Sequence, residues 1–282
     1  MNTDSWSPLG RIAPTELVEA RLSLHYAAQP LAAAAYALLP MQEDHHHTNL
    51  LWSRARSALV GRPLPRAGRA FLEPAALRIG VLAPSGEAAS LELGGLRLGE
   101  AFDAFAELLR ERGEAVPEAG LELPDYDLPE ARVASSEPFS PREAQAGALE
   151  ELARWFQNAE QALQPVATQA LDGAELRGWP HHFDLAALLA LEGDRFVGAG
   201  FSPGDGSYAE PYFYVSPWPK PPEDRLPALP EGAHWHTEGF TSAVLPATRL
   251  VQQASPAEQE RTVSTFLESA VARSLELVDG GA

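Results

Sequence analysis

The chain carries 39 acidic and 21 basic side chains over 282 residues, with eight histidines, no cysteine and a formal charge of −18. An apolar fraction of 45% is ordinary for a chain that buries a core, which excludes a disordered or fibrous protein. The acidic balance repels phosphate backbones and argues against general nucleic-acid or anionic-membrane binding. Without cysteine the chain can supply no disulfide framework, thiol nucleophile or iron–sulfur ligation, and any transition metal must be held by histidine and carboxylate.

The first ten residues, MNTDSWSPLG, lack the cationic start and continuous apolar run of a secretory signal, so a cytoplasmic location is expected. The most apolar stretch, 26–41, is shorter than the roughly 18 residues a membrane span needs and is interrupted by Gln29 and Pro30. A first helix of about two dozen residues is predicted from Pro14-Thr15, with Leu17, Leu24, Ala28 and Leu31 along one stripe and a bend at Pro30. A polar, histidine-rich cluster over 42–49 follows, and Leu50-Leu51-Trp52 returns the chain to the core. Leu77, Ile79 and Val81 alternate against Leu91 and Leu93 across Pro84-Ser85-Gly86, which reads as a hairpin.

Phe102, Phe105, Leu108 and Leu109 follow helical spacing, with Gly113 placed to cap the C-terminus. The Pro- and acid-rich stretch Glu114 to Phe139 is expected to cross the surface. Long helices start at Ser140-Pro141-Arg142-Glu143 and again at Ser255-Pro256-Ala257-Glu258, each with a capping serine, a first-turn proline and a glutamate to complete a capping box. Between them, short turns separate strand-like runs at 183–191, 196–201, 212–215 and 234–245, a spacing that favours antiparallel neighbours. The expected fold is α+β: a single domain over 1–282 with an antiparallel sheet flanked by long N-terminal, central and C-terminal helices. The Pro-rich tract 217–230 is a loop within it.

Seven of the eight histidines fall in clusters at 45–47, 181–182 and 234–236. On a strand, side chains two apart share a face, so His234, His236 and Glu238 converge while Trp235 and Thr237 face away. The same alternation in WPHHFD puts His182 and Asp184 on one face and His181 on the other. Two readings stand side by side. In one, His234, His236 and one of His181 or His182 ligate a divalent transition metal (Zn, Fe, Mn or Ni), Glu238 is a ligand or base, and Asp184 orients a histidine. In the other, these groups hydrogen-bond buried backbone and loops, as buried polar groups normally do.

GFSPGD is a turn by composition, with Asp205 or its backbone N–H groups available to a ligand. It lacks the GK[ST] of a phosphate loop, and Ser202 lacks a GxSxG context. Tyr212 and Tyr214 either line a pocket with polar tips or belong to the core. His25 and Gln29 share the inward face of the first helix, as a satisfied core pair or as one wall of a polar cavity.

A resemblance rests on Leu24-His25 with Gln29, the histidine-rich turn before Trp52, Phe183-Asp184-Leu185-Ala186, Gly200-Phe201 with Pro203-Gly204, Phe213-Tyr214 before Pro217 and Pro219, and Leu245-Pro246 before the last helix. In these the chain resembles an uncharacterised bacterial family, a domain of unknown function, along most of its length. It looks like a branch marked by WPHHFD, GFSPGD, EPYFYVSPWP and HWHTEGF, and the resemblance implies a fold more than an activity. The leading expectation is a protein acting on a small molecule through a histidine- and carboxylate-lined cleft, in its sharper form a metal-dependent hydrolase or oxygenase. The alternative is a non-catalytic ligand-binding or interaction module. The expected partner is a small molecule, with no nucleic acid and no membrane, and a homo-oligomer is compatible with either form.

Overall fold

The computed structural model describes residues 5–169 and 174–279. The fold is α+β, with helices and two antiparallel sheets. The chain divides into two compact units: a first of residues 16–153 with 178–183, and a second of residues up to 15, 154–177 and from 184 onward. No described helix is long and apolar enough to cross a membrane.

In the first unit the predicted N-terminal helix is a bent pair, α1 (Val18–Ala27) and α2 (Gln29–Leu38). Ala28 N still donates to Leu24 O and Ala32 N to Ala28 O, so the hydrogen-bond ladder continues through the joint. Pro30, which has no N–H to give, sits in the first turn of α2, where none is required. Five strands follow: β1 (Leu51–Ser53), β2 (Ala58–Pro63), β3 (Arg69–Glu73), β4 (Arg78–Leu82) and β5 (Ala88–Glu92). They pair in chain order as an antiparallel meander. Its last pair is the predicted hairpin, with Ile79 opposite Leu91 and Gly86 at φ +89° in the turn. Helix α3 (Leu98–Glu111) packs on β4 and β5 and buries Phe105 and Leu109. Gly113 follows it at φ +85°, the left-handed position that favours glycine.

The stretch 114–139 is irregular apart from one 3-10 turn, Arg132–Ser135. Glu114 is nevertheless buried, its Oε1 accepting from the backbone N–H groups of Arg66 and Ala67, both at 2.6 Å. Helix α4 (Arg142–Thr168) supplies its residues to Ala153 to the first unit and those from Arg154 to the second. In β6 (Arg177–Trp179), Gly178 bridges Leu50 through paired backbone bonds of 2.8 and 2.6 Å.

The second unit contains β7 (Asp184–Ala190), β8 (Phe196–Ser202), β9 (Tyr212–Trp218), β10 (His234–His236), β11 (Ser242–Pro246), the single turn α5 (Ala247–Leu250) and α6 (Pro256–Asp279). Among these strands the hydrogen-bonded order is β10-β11-β9-β8-β7, all antiparallel. Helix α6 lies on β8 and β9, and its start carries the predicted cap, with Glu258 N donating to Ser255 Oγ. Trp155 stacks on Phe201 at 5.9 Å and Phe156 meets the same ring edge-on at 5.4 Å, which forms the aromatic core. Two buried amides hold the N-terminal segment as a strand partner would. Gln259 accepts from Leu9 N and donates to Leu9 O, and Asn158 does the same for Ser7.

Candidate functional site

Within the first unit, histidines far apart in sequence meet around a few tyrosines. His25 Nε2 donates to Pro180 O at 3.0 Å, and the Gln29 amide donates to the same oxygen and to His25 O. Tyr126 donates to Gln29 Oε1 at 2.6 Å. Gln29 thus uses both amide hydrogens and its oxygen, and with His25 it forms a satisfied core pair that anchors 178–183. Phe183 stacks on His25 at 5.3 Å with φ at +55°. Because 180–183 is a turn and β7 begins only at Asp184, strand alternation does not govern His181, His182 and Asp184.

His181 lies against His182 at 4.2 Å and meets the rings of Tyr126 and Trp179 edge-on, each at 5.8 Å. The Tyr36 hydroxyl shares a hydrogen bond with His45 Nδ1 at 3.2 Å, and its ring is edge-on to His47. Burial brings His25 and His181 down to about 4, with His182 and His45 adding to the effect on His181, so both imidazoles are neutral at physiological pH. Burial also raises the Tyr126 hydroxyl, which stays protonated. His45 and His47 thus meet at Tyr36, and His181 and the His25–Gln29 pair at Tyr126, all within this unit.

In the second unit the candidates Asp184, Tyr214, Tyr212, Asp205, His234 and His236 belong to one chain of contacts. Tyr214 donates to Asp184 Oδ2 and Tyr212 to Asp205 Oδ2, each at 2.5 Å, with the two rings 6.0 Å apart. Burial and the adjacent carboxylates raise both tyrosines and keep them protonated. Asp205 Oδ1 accepts from the N–H groups of Ser207 and Tyr208, which fixes the turn. The Tyr208 ring packs 4.9 Å from Tyr212, and its hydroxyl sits between His234 Nε2 at 2.9 Å and His236 Nδ1 at 3.1 Å. Close approach of Tyr214 explains Gly200, where a Cβ would lie 2.5 Å from the phenol.

One contact sets the proton positions in this group. His236 Nε2 lies 2.7 Å from Glu238 O, a carbonyl that can only accept, so in the neutral ring Nε2 carries the hydrogen and Nδ1 is a lone pair. Tyr208 then donates to His236 Nδ1, and its oxygen accepts from His234 Nε2–H. His234 is left with Nδ1 bare. Burial, His236 and Arg249 each lower its basicity, so it is a neutral acceptor, the form a general base requires. Strand β10 ends at His236, which places Glu238 in the following turn, where its backbone carbonyl and not its carboxylate contacts the histidine.

His234 and Tyr208 line a cleft of about 880 Å³ with Glu210, Glu231, Thr248 and Arg249. Tyr36, Tyr126, Tyr208 and Arg249 are not among the residues that motif reading singles out. Each stands alone in a loop, turn or helix without a repeat to mark it. Among the described residues, no group of three or more histidines and carboxylates is placed to hold a metal ion. His181 and His182 belong to the first unit, and His234 and His236 to the second.

Residues 191–279 match the model of a family of unknown function (DUF5996). That span contains GFSPGD, EPYFYVSPWP and HWHTEGF and begins after WPHHFD. No curated protein and no solved structure matches the chain.

Proposed function

We propose that the chain binds a small molecule in the cleft beside β10, β11 and α5, with the bare Nδ1 of His234 as an acceptor for it. The observation that carries the reading is the cleft itself: its volume of about 880 Å³ falls in the roughly 300–1,000 Å³ range of small-molecule sites, and fixed polar groups converge on it. Its Tyr208–His234–His236 group is held in one tautomeric arrangement by the Glu238 carbonyl, so the acceptor is preorganised. Such an imidazole orients a ligand and equally suits removal of a proton from one.

A fragment screen by saturation-transfer NMR on the full chain tests this, with Gln252→Trp and Thr262→Trp as cleft-filling variants, since both residues line it. Compounds that bind the parent should lose their signal in both variants while each variant keeps the parent's thermal melt. Undiminished binding in two folded variants, or no binding compound in the screen, would overturn the assignment.

A further inference from the structure

The charged groups around the cleft are unequally engaged. Both oxygens of Glu210 are engaged, Oε2 accepting from Thr248 N at 2.6 Å and Oε1 from Thr248 Oγ1 at 3.1 Å. Arg249 is exposed, makes no ion pair among the described residues, and lays its stem over Gly232, whose hypothetical Cβ would sit 3.5 Å from Arg249 Cβ. Opposite in sign, Glu231 also lines the cleft with no donor to it among the described residues, and so does His234, whose Nδ1 has no donor among them. The site thus offers one unpaired fork of donors and two unpaired acceptors.

We infer, on the reading that this cleft takes a small molecule, that its ligand is a small carboxylic acid carrying a hydroxyl or ammonium group. The planar guanidinium of Arg249 matches a carboxylate in two-point geometry, a pairing stronger than a neutral hydrogen bond. Glu231 and His234 Nδ1 call for hydrogen donors, which a hydroxyl or ammonium supplies and a plain acid lacks. A chain of charge −18 repels anions at long range, so an acid held here is held by this local cation and not by the overall field. An adjoining hollow of about 270 Å³ shares Glu231, Leu245 and Thr262 and adds Phe266, which gives a carbon skeleton an apolar wall.

Isothermal titration of the full chain with succinate, malate and aspartate tests the inference, because these diacids share one skeleton and differ in bearing hydrogen, hydroxyl or ammonium. Malate or aspartate should bind about tenfold or more tightly than succinate, and Arg249→Gln should weaken that binding by about tenfold or more, with Arg249→Lys restoring only part. Equal affinity for all three acids, equal affinity for inorganic phosphate, or binding untouched by Arg249→Gln would overturn it. If neutral fragments bind in the cleft and none of the acids does, the small-molecule reading stands and the acid assignment falls. If neither acids nor fragments bind, both fall.

Discussion

Acid should loosen the first unit through His25 well before its carboxylates protonate. The ring is 6% exposed, donates to Pro180 O and is packed against Phe183, and burial brings its pKa to about 4 from the 6.5 of an exposed imidazole. Between those two values the unfolded chain binds the proton and the folded chain does not. Stability is therefore unaffected by this group above 6.5 and falls as the pH falls through the window. With those two values, linkage gives a loss of about 2 kcal/mol by pH ~5 and about 3 kcal/mol below pH ~4. Arg21 and His182 repel the same proton while the backbone of Pro180 and His181 favours it, and burial outweighs both; His181, itself brought to about 4 by burial, adds a loss of its own over the same window. Urea denaturation followed by NMR signals of 16–153 at several pH values measures the slope. His25→Gln removes the titrating group, so the variant should lose markedly less stability than the parent on acidification, whatever its stability at neutral pH. Parallel pH profiles for the two proteins, or a folded-state His25 midpoint near 6.5, would refute the reasoning.

Two further substitutions separate structural from site roles. Gly200→Ala places a methyl 2.5 Å from the Tyr214 phenol, so the ring must leave Asp184; a cost of about 1–3 kcal/mol and a shifted Tyr214 hydroxyl resonance are expected, and an unchanged melt would contradict the packing. Glu114→Ala strands the N–H groups of Arg66 and Ala67, with an expected loss of about 1–3 kcal/mol and faster amide exchange at those two positions, whereas a solvated glutamate would show neither.

Much of the secondary structure was legible because it is written in local chemistry. The start of α6 carries its Ser-Pro-x-Glu cap, and the β4–β5 hairpin carries strict alternation around a glycine turn. Strands β1 to β3 are three to six residues long and include Gly61, Arg62 and Pro63, so alternation over them is too brief to register. The site was half legible. Asp184, Asp205, Tyr212, Tyr214, His234 and His236 do share one contact chain, but the residue that links its two ends is Tyr208, a lone aromatic in a turn. Strand arithmetic also carried Glu238 too far, since pairing with β11 stops at His236 opposite Ser242. Glu114 shows the complementary error. Composition assigns its whole tract to solvent, and only the backbone that it caps, some 47 residues earlier, reveals its burial.

The amides of Gln259 and Asn158 have a consequence for the order in which the chain is made. Gln259 grips Leu9 across a sequence separation of 250 residues, so this segment waits on the ribosome for a partner made 250 residues later. Residues 16–153, with the short 178–183 return, can close earlier because their partners arrive earlier. During synthesis residues 7–9 stay without their amide partners until Asn158 and then Gln259 emerge. A nascent chain halted before α6 would leave Asn158 to hold that segment alone.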